Sequence, residues 1–141
     1  MDASDIIVIH QLLSLYGHVG DMPPSPEKAE LQKQVYTSDA VLDMSALGFG
    51  RVEGLEAICA WGKVAEAEER RAGAHLMTNV YVYEENGQTR VRSKFAIPVG
   101  EFWSGGDYED VVVKGPEGWR IRERILRPLW GNWPDPVGLL P

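Results

Sequence analysis

Ala74-His75-Leu76-Met77-Thr78-Asn79-Val80-Tyr81-Val82-Tyr83-Glu84-Glu85-Asn86-Gly87-Gln88 is the stretch on which the fold turns. Its β-branched and aromatic residues alternate with polar ones, the period-two pattern of a strand. Asn86-Gly87 suits the positive-φ positions of a tight primed turn, so a hairpin is predicted. If Glu85 faces Gln88, Tyr83 pairs with Arg90, Tyr81 with Arg92, Asn79 with Lys94 and Met77 with Ala96. That register sets His75, Met77 and Asn79 on a mixed face with Arg90, Arg92 and Lys94. Leu76, Val80, Val82, Val91, Phe95 and Ile97 then share the other face. So broad an apolar face needs a cover, and a homo-oligomer, a dimer or trimer, is expected.

Beyond the hairpin the chain stays β. A further strand is predicted over about Tyr108 to Val113. The turn Lys114-Gly115-Pro116-Glu117-Gly118 then leads into a last strand from Trp119 to Arg127. Pro128, Pro134, Pro136 and Pro141 argue for an extended arm over 128–141, because proline lacks the donor that a ladder needs. Upstream the period changes to that of helices. Ile6, Ile9, Leu13 and Tyr16 mark an amphipathic helix over 5–20 with Ser4 or Asp2 as its cap, Gly17 and Gly20 loosening its end, and Asp21 at its stop. Ser25-Pro26 starts a second helix that runs to about Val35 and buries Ala29, Leu31 and Val35. Tyr36 to Met44 reads as a strand and Arg51-Val52 as a short one. Gly54 opens a third helix, whose apolar stripe is Leu55, Ile58, Trp61 and Ala65 and which ends at Ala72-Gly73. Three helices and a mostly antiparallel sheet make an α+β layout in a single domain over 1–141.

Charge narrows the partners. The chain has 141 residues, 25% of them charged and 44% hydrophobic, a globular composition. Its net charge of −7 argues against nucleic acid or an anionic membrane surface as partner. No segment approaches the roughly 20 apolar residues of a membrane span. The acidic N-terminal stretch, with its apolar run broken by His10 and Gln11, does not read as a signal peptide. A cytoplasmic location is the expectation. A single cysteine, Cys59, permits no disulfide framework, and three histidines without ligand spacing make no metal site.

The order of motifs resembles the SnoaL-like branch of the nuclear-transport-factor-two-like superfamily. The residues that carry it are Leu12-Leu13-Ser14-Leu15-Tyr16 with Asp21, and Val35-Tyr36-Thr37-Ser38-Asp39-Ala40-Val41-Leu42-Asp43. Gly54-Leu55-Glu56-Ala57-Ile58, His75 with Asn79, and Gly118-Trp119-Arg120-Ile121 with Arg124 continue it. The resemblance implies a cone: helices packed on a strongly curved sheet that encloses a pocket. Lyases of that superfamily, such as scytalone dehydratase, bile-acid dehydratase and hexachlorocyclohexane dehydrochlorinase, pair a strand-head histidine with an aspartate ending the first helix. Those positions match His75 and Asp21, and the dehydratase tyrosine matches Tyr16. A late-strand arginine of some members corresponds to Arg124 or Arg127. Two departures stand out. The later strands hold no second histidine of the kind scytalone dehydratase requires. Met44 stands where ketosteroid isomerases carry an aspartate, with Asp43 one residue off, which disfavours that isomerase.

The implied chemistry needs no cofactor. Histidine titrates near neutral pH and suits a base for a carbon-bound proton. A carboxylate on its far nitrogen fixes the tautomer, and tyrosine and arginine can hold developing negative charge. The expectation is therefore a dehydratase-like lyase or an isomerase acting on a hydrophobic small molecule, with His75, Asp21 and Tyr16 catalytic. Asn79, Met77, Arg124, Arg127 and Trp61 would contact substrate. A non-catalytic binding or accessory domain with the same cavity, a polyketide cyclase and an epoxide hydrolase are the alternatives. Each residue also has a plainer use: His75 bonding a backbone carbonyl, Tyr16 in the core, Asp21 paired with His18, Asp110 structural.

Overall fold

The computed structural model describes residues 1–67, 74–99 and 102–131. Helices α1 (Ala3–Asp21), α2 (Pro26–Val35) and α3 (Leu55–Ala67) accompany strands β1 (Tyr36–Asp43), β2 (Arg51–Glu53), β3 (Leu76–Glu85), β4 (Gln88–Val99), β5 (Phe102–Gly115) and β6 (Gly118–Gly131). The sheet order is β2-β1-β6-β5-β4-β3. β1 runs parallel to β6, and the other pairs are antiparallel. The α+β reading holds, with a mixed sheet that stays open between edge strands β2 and β3. Among the described residues no helix is long and apolar enough to cross a membrane.

Helix starts follow the sequence closely. Asp2 caps α1 in a reciprocal capping box with Asp5. Ser25 caps α2 through Lys28 N–H, with Pro26 in the first turn. The buried stripe of α1 is Ile9, Leu12, Leu13 and Val19, whereas Ile6 lies exposed. Gly17 and Gly20 do not loosen α1, which continues through both to Asp21. In α2, Val35 is buried and Leu31 partly so, but Ala29 faces out. The expected end of α3 at Ala72-Gly73 lies outside the described residues.

The predicted hairpin register is correct from Glu85↔Gln88 to Tyr81↔Arg92 and wrong beyond it. Thr78, not Asn79, faces Lys94, and Met77 faces Phe95 rather than Ala96. The cause is a bulge: Asn79 adopts φ 51°, in the left-handed region that asparagine tolerates better than most residues. One inserted residue flips every side chain before it. Met77 and His75 therefore join Val80 and Val82 on the face that α1 covers, and Leu76 turns outward at 53% exposed. The apolar face foreseen as bare is the core: Val91 and Phe95 are buried, and Val80 and Val82 pack against the cluster built on Ile9, Leu13, Val35, Tyr36 and Ile121. Arg90, Arg92 and Lys94 face the other way and pair with Glu85, Glu109 and Asp107.

β6 outruns its prediction and carries Pro128 to Gly131, so the arm does not begin at 128. Proline is tolerated there because Gly106 pairs with Pro128 beside a register shift at Gly105/Gly106, where the ladder is already interrupted. The remainder of the expected arm, from residue 132 on, lies outside the described residues.

Candidate active site

α1 meets the head of β3 at two glycines. A Cβ on Gly17 would stand 3.1 Å from the His75 carbonyl oxygen, and one on Gly20 would stand 3.2 Å from Cε1 of the His75 ring. With no side chain at either position, Asp21 comes within reach of His75. The His75 backbone N–H lies 3.0 and 3.1 Å from the two Asp21 carboxylate oxygens, and His75 Nδ1 lies 2.6 Å from Asp21 Oδ1. A carboxylate at a helix C-terminus is electrostatically unfavourable, and these three contacts offset that. An ionised carboxylate can only accept, so Nδ1 carries the hydrogen and a neutral ring keeps its lone pair on Nε2. The dyad is shielded without being sealed: the side chains are 13% and 30% exposed.

Tyr16, one turn earlier on α1, presents its ring at 5.9 Å and 81° to the His75 imidazole. Its hydroxyl lies 3.1 Å from that of Tyr108 on β5. The two phenol rings meet nearly at right angles, 82°, with centroids 5.6 Å apart. Arg124 from β6 fills the corner they make, its Cζ lying 3.8 Å from the Tyr16 centroid and 4.1 Å from that of Tyr108. Phe95 stacks on the far side of Tyr108, and Tyr36 abuts Tyr16 edge-on.

Arg124 has no exposure at all. Its Nε and Nη2 each donate to Asp110 at 2.7 Å, a bidentate fork between two fully buried side chains. Burial opposes the guanidinium charge, but the adjacent Asp110 carboxylate outweighs it and holds the arginine pKa well above the ordinary value. Burial pushes the Tyr108 and Tyr36 phenols well above the usual tyrosine range, so both stay protonated donors at neutral pH. Arg124 Nη1 and Ser93 Oγ are buried without a hydrogen-bond partner.

Of the residues expected in the site, the structure gathers His75, Asp21, Tyr16, Met77 and Arg124 around the inner face of the sheet. Met77 lies beside Gly17. Arg127 goes to the outer face, where it donates to Glu109. Asn79 is not a lining residue: it is exposed at the bulge, and its Oδ1 accepts from Thr78. Trp61 packs edge-on against Phe49, 5.6 Å away and distinct from the tyrosine cluster. Tyr108 was not foreseen, and Asp110 was read as structural.

The SnoaL-like domain family matches residues 1–125. A comparison with curated proteins gives no match. Among solved structures, the Kfla4162 protein of Kribbella flavida is 18% identical, with TM-score 0.77 and coverage of 96% of this chain and 98% of that one. A cystatin-fold protein of unknown function from Nostoc punctiforme is 17% identical, with TM-score 0.73 and coverage of 92% and 94%. A candidate scytalone dehydratase from Novosphingobium aromaticivorans is 18% identical, with TM-score 0.72 and coverage of 93% and 91%. At such identities the structures speak for the fold alone. With helices and open sheet in the same arrangement and a family match over nearly the whole chain, the protein belongs to the SnoaL-like family, whose nuclear-transport-factor-two-like fold serves dehydratases, isomerases and cyclases.

Proposed function

We propose that this chain is a cofactor-independent lyase or isomerase that removes a proton beside a carbonyl in a hydrophobic small molecule. The observation that carries the proposal is the 2.6 Å His75–Asp21 contact, set directly beside the Tyr16 ring. His75 Nε2 takes the proton from the carbon, and the C–H electron pair moves into the carbonyl system as an enolate. Asp21 stabilises the imidazolium, and the Tyr16 phenol donates to the enolate oxygen. In elimination the enolate expels a β-hydroxyl. The imidazolium returns its proton to that oxygen, and water leaves a conjugated double bond. In isomerisation the same proton returns to a different carbon. We assign the substrate to the side of the dyad where His75 and Asp21 keep their partial exposure, 13% and 30%.

A second reading has an observation of its own. The His75 backbone N–H also holds Asp21, so the pair ties α1 to β3 even in a non-catalytic binding domain. Exchange chemistry separates the two. Wild type in heavy water, incubated with a panel of apolar ketones, should exchange α-protons faster than His75→Ala, by about 10²-fold or more. Equal exchange in both proteins refutes the catalytic role. Exposed Trp103, Leu129 and Trp130 support assembly into a dimer or trimer, which a monomer mass by light scattering would rule out.

A further inference from the structure

The outer face of the sheet is ordered by column and by row. Its columns alternate in charge: β4 presents Arg92 and Lys94, β5 presents Glu109 and Asp107, and β6 presents Arg127. Each of these charges is paired within the chain, Lys94 with Asp107 at 2.7 Å and Glu109 with both Arg92 and Arg127. The rows follow from the register. One runs Tyr81–Arg92–Glu109–Ile125 and the next Thr78–Lys94–Asp107–Arg127. The end row is apolar, Leu76–Ala96–Gly105–Trp130. A Cβ on Gly105 would collide with the Trp130 ring, so the glycine lets that indole lie across β5. Trp130, Leu76 and Tyr81 nevertheless remain 40%, 53% and 63% exposed.

Such a face complements itself in one orientation. A twofold axis parallel to the strands, between β4 and β5, lays β4 of one copy over β5 of the other and β3 over β6, row on row. Lys94 then meets Asp107 of the second copy and Arg92 meets its Glu109, so each of these rows closes a square of alternating charges. In the end row the indole of Trp130 lies against Leu76 and Ala96, and one row further in Tyr81 meets Ile125. A twofold axis across the strands fails, because it sets β4 on β4 and β5 on β5, like charge on like. An axis one strand over, between β5 and β6, sets Glu109 on Ile125.

We propose that a second copy of this chain docks on the outer face about the axis between β4 and β5, forming a twofold dimer. The charges choose the orientation and exclude slipped registers; already paired in their own chain, they add little affinity. The apolar row supplies the burial, with Trp130 as its anchor. Leu76 directly follows His75, so the second copy's Trp130 braces the strand head that carries the histidine. This deepens the assembly proposed above and holds whether or not His75 acts as a base.

Sedimentation equilibrium of the full chain tests the contact, with circular dichroism to check the fold of each variant. Wild type should run as a dimer. Trp130→Ala should raise the dimer dissociation constant by roughly 30-fold or more. Lys94→Glu and Asp107→Lys should each raise it by roughly 100-fold, because either change sets two like-charge contacts across the axis. Mixing the two variants should restore the dimer with one chain of each. In that pair one contact joins the two reversed side chains and the other joins two native ones. Should a reversal fail to fold, Arg92→Glu with Glu109→Arg makes the same test one row away. A monomeric wild type overturns this contact and the assembly with it, whereas a trimer overturns the twofold contact alone. Reversals that dimerise as wild type does, or a mixture no tighter than its components, overturn the placing of β4 on β5.

Discussion

Asp110→Asn is the sharpest test of the buried arrangement. The substitution keeps the shape of the side chain and removes its charge, leaving the Arg124 guanidinium with no exposure and no counter-ion. Removing one partner of a buried ion pair costs about 3–5 kcal/mol, because the survivor's desolvation is no longer offset. Asparagine retains one acceptor, which places the expectation near the lower end, about 3 kcal/mol. Against a total of about 5–15 kcal/mol for an ordinary domain this is a large fraction. At about 2–4 °C per kcal/mol, the melting temperature should drop by roughly 6–12 °C. The assay is urea denaturation and thermal melting by circular dichroism. Glu109→Gln serves as the control: Glu109 receives Arg92 and Arg127 on the outer face, where such pairs contribute at most about 1 kcal/mol. A loss in Asp110→Asn no larger than the control's would mean that water reaches Arg124.

Two further outcomes follow from single residues. Asn79→Gly should leave stability unchanged or slightly improved, whereas Asn79→Val should cost about 1–2 kcal/mol by chemical denaturation, since valine resists the φ of 51° seen there. Equal stabilities would show that the bulge does not need a left-handed residue. Asp5 receives Lys114 Nζ at 2.7 Å and Trp119 Nε1 at 2.9 Å, and those bonds hold its carboxyl far below the usual carboxylate range. A depressed carboxyl adds stability that is complete above the unfolded value of about 4 and is lost as pH falls below it towards the folded value. The wild-type melting temperature should therefore decline on acidification below about pH 4 more steeply than that of Asp5→Asn. Parallel declines would contradict the linkage.

Periodicity and turn chemistry made the elements legible, and single inserted residues hid the rest. The hairpin at Asn86-Gly87 and the cap at Ser25 are local signals, so they could be read directly, and for α1 the choice narrowed to Ser4 or Asp2, of which the structure takes Asp2. Faces are not local. Counting back from the β3–β4 turn put His75 and Met77 on the side with Arg90 and Arg92, and the extra residue at Asn79 reverses them. The β5–β6 hairpin holds a comparable case. Simple antiparallel counting from Gly115↔Gly118 would set Asp110 opposite Glu123, two carboxylates in contact. The shift between Val111 and Val112 leaves Arg122 unmatched and brings Arg124 across instead. The pairing of a buried acid with a buried base thus depends on a bulge that no composition or period announces. Tyr108 escaped notice for the same reason, because its value lies wholly in what the register sets beside it.

The glycines of α1 show how the dyad is placed. Each costs roughly 1 kcal/mol against alanine inside a helix, so two in the last turns of α1 require a compensating use. At Gly20 a methyl group would press on Cε1 and Nδ1 of the imidazole from 3.2 and 3.3 Å. The ring has nowhere to yield without stretching its 2.6 Å bond to Asp21. At Gly17 the obstacle would be the His75 backbone itself, which cannot rotate aside. The helix therefore gives up propensity over one turn so that β3 can lie against its backbone. The bulge at Asn79 then decides that the side chain arriving there is the histidine and not its neighbour Leu76.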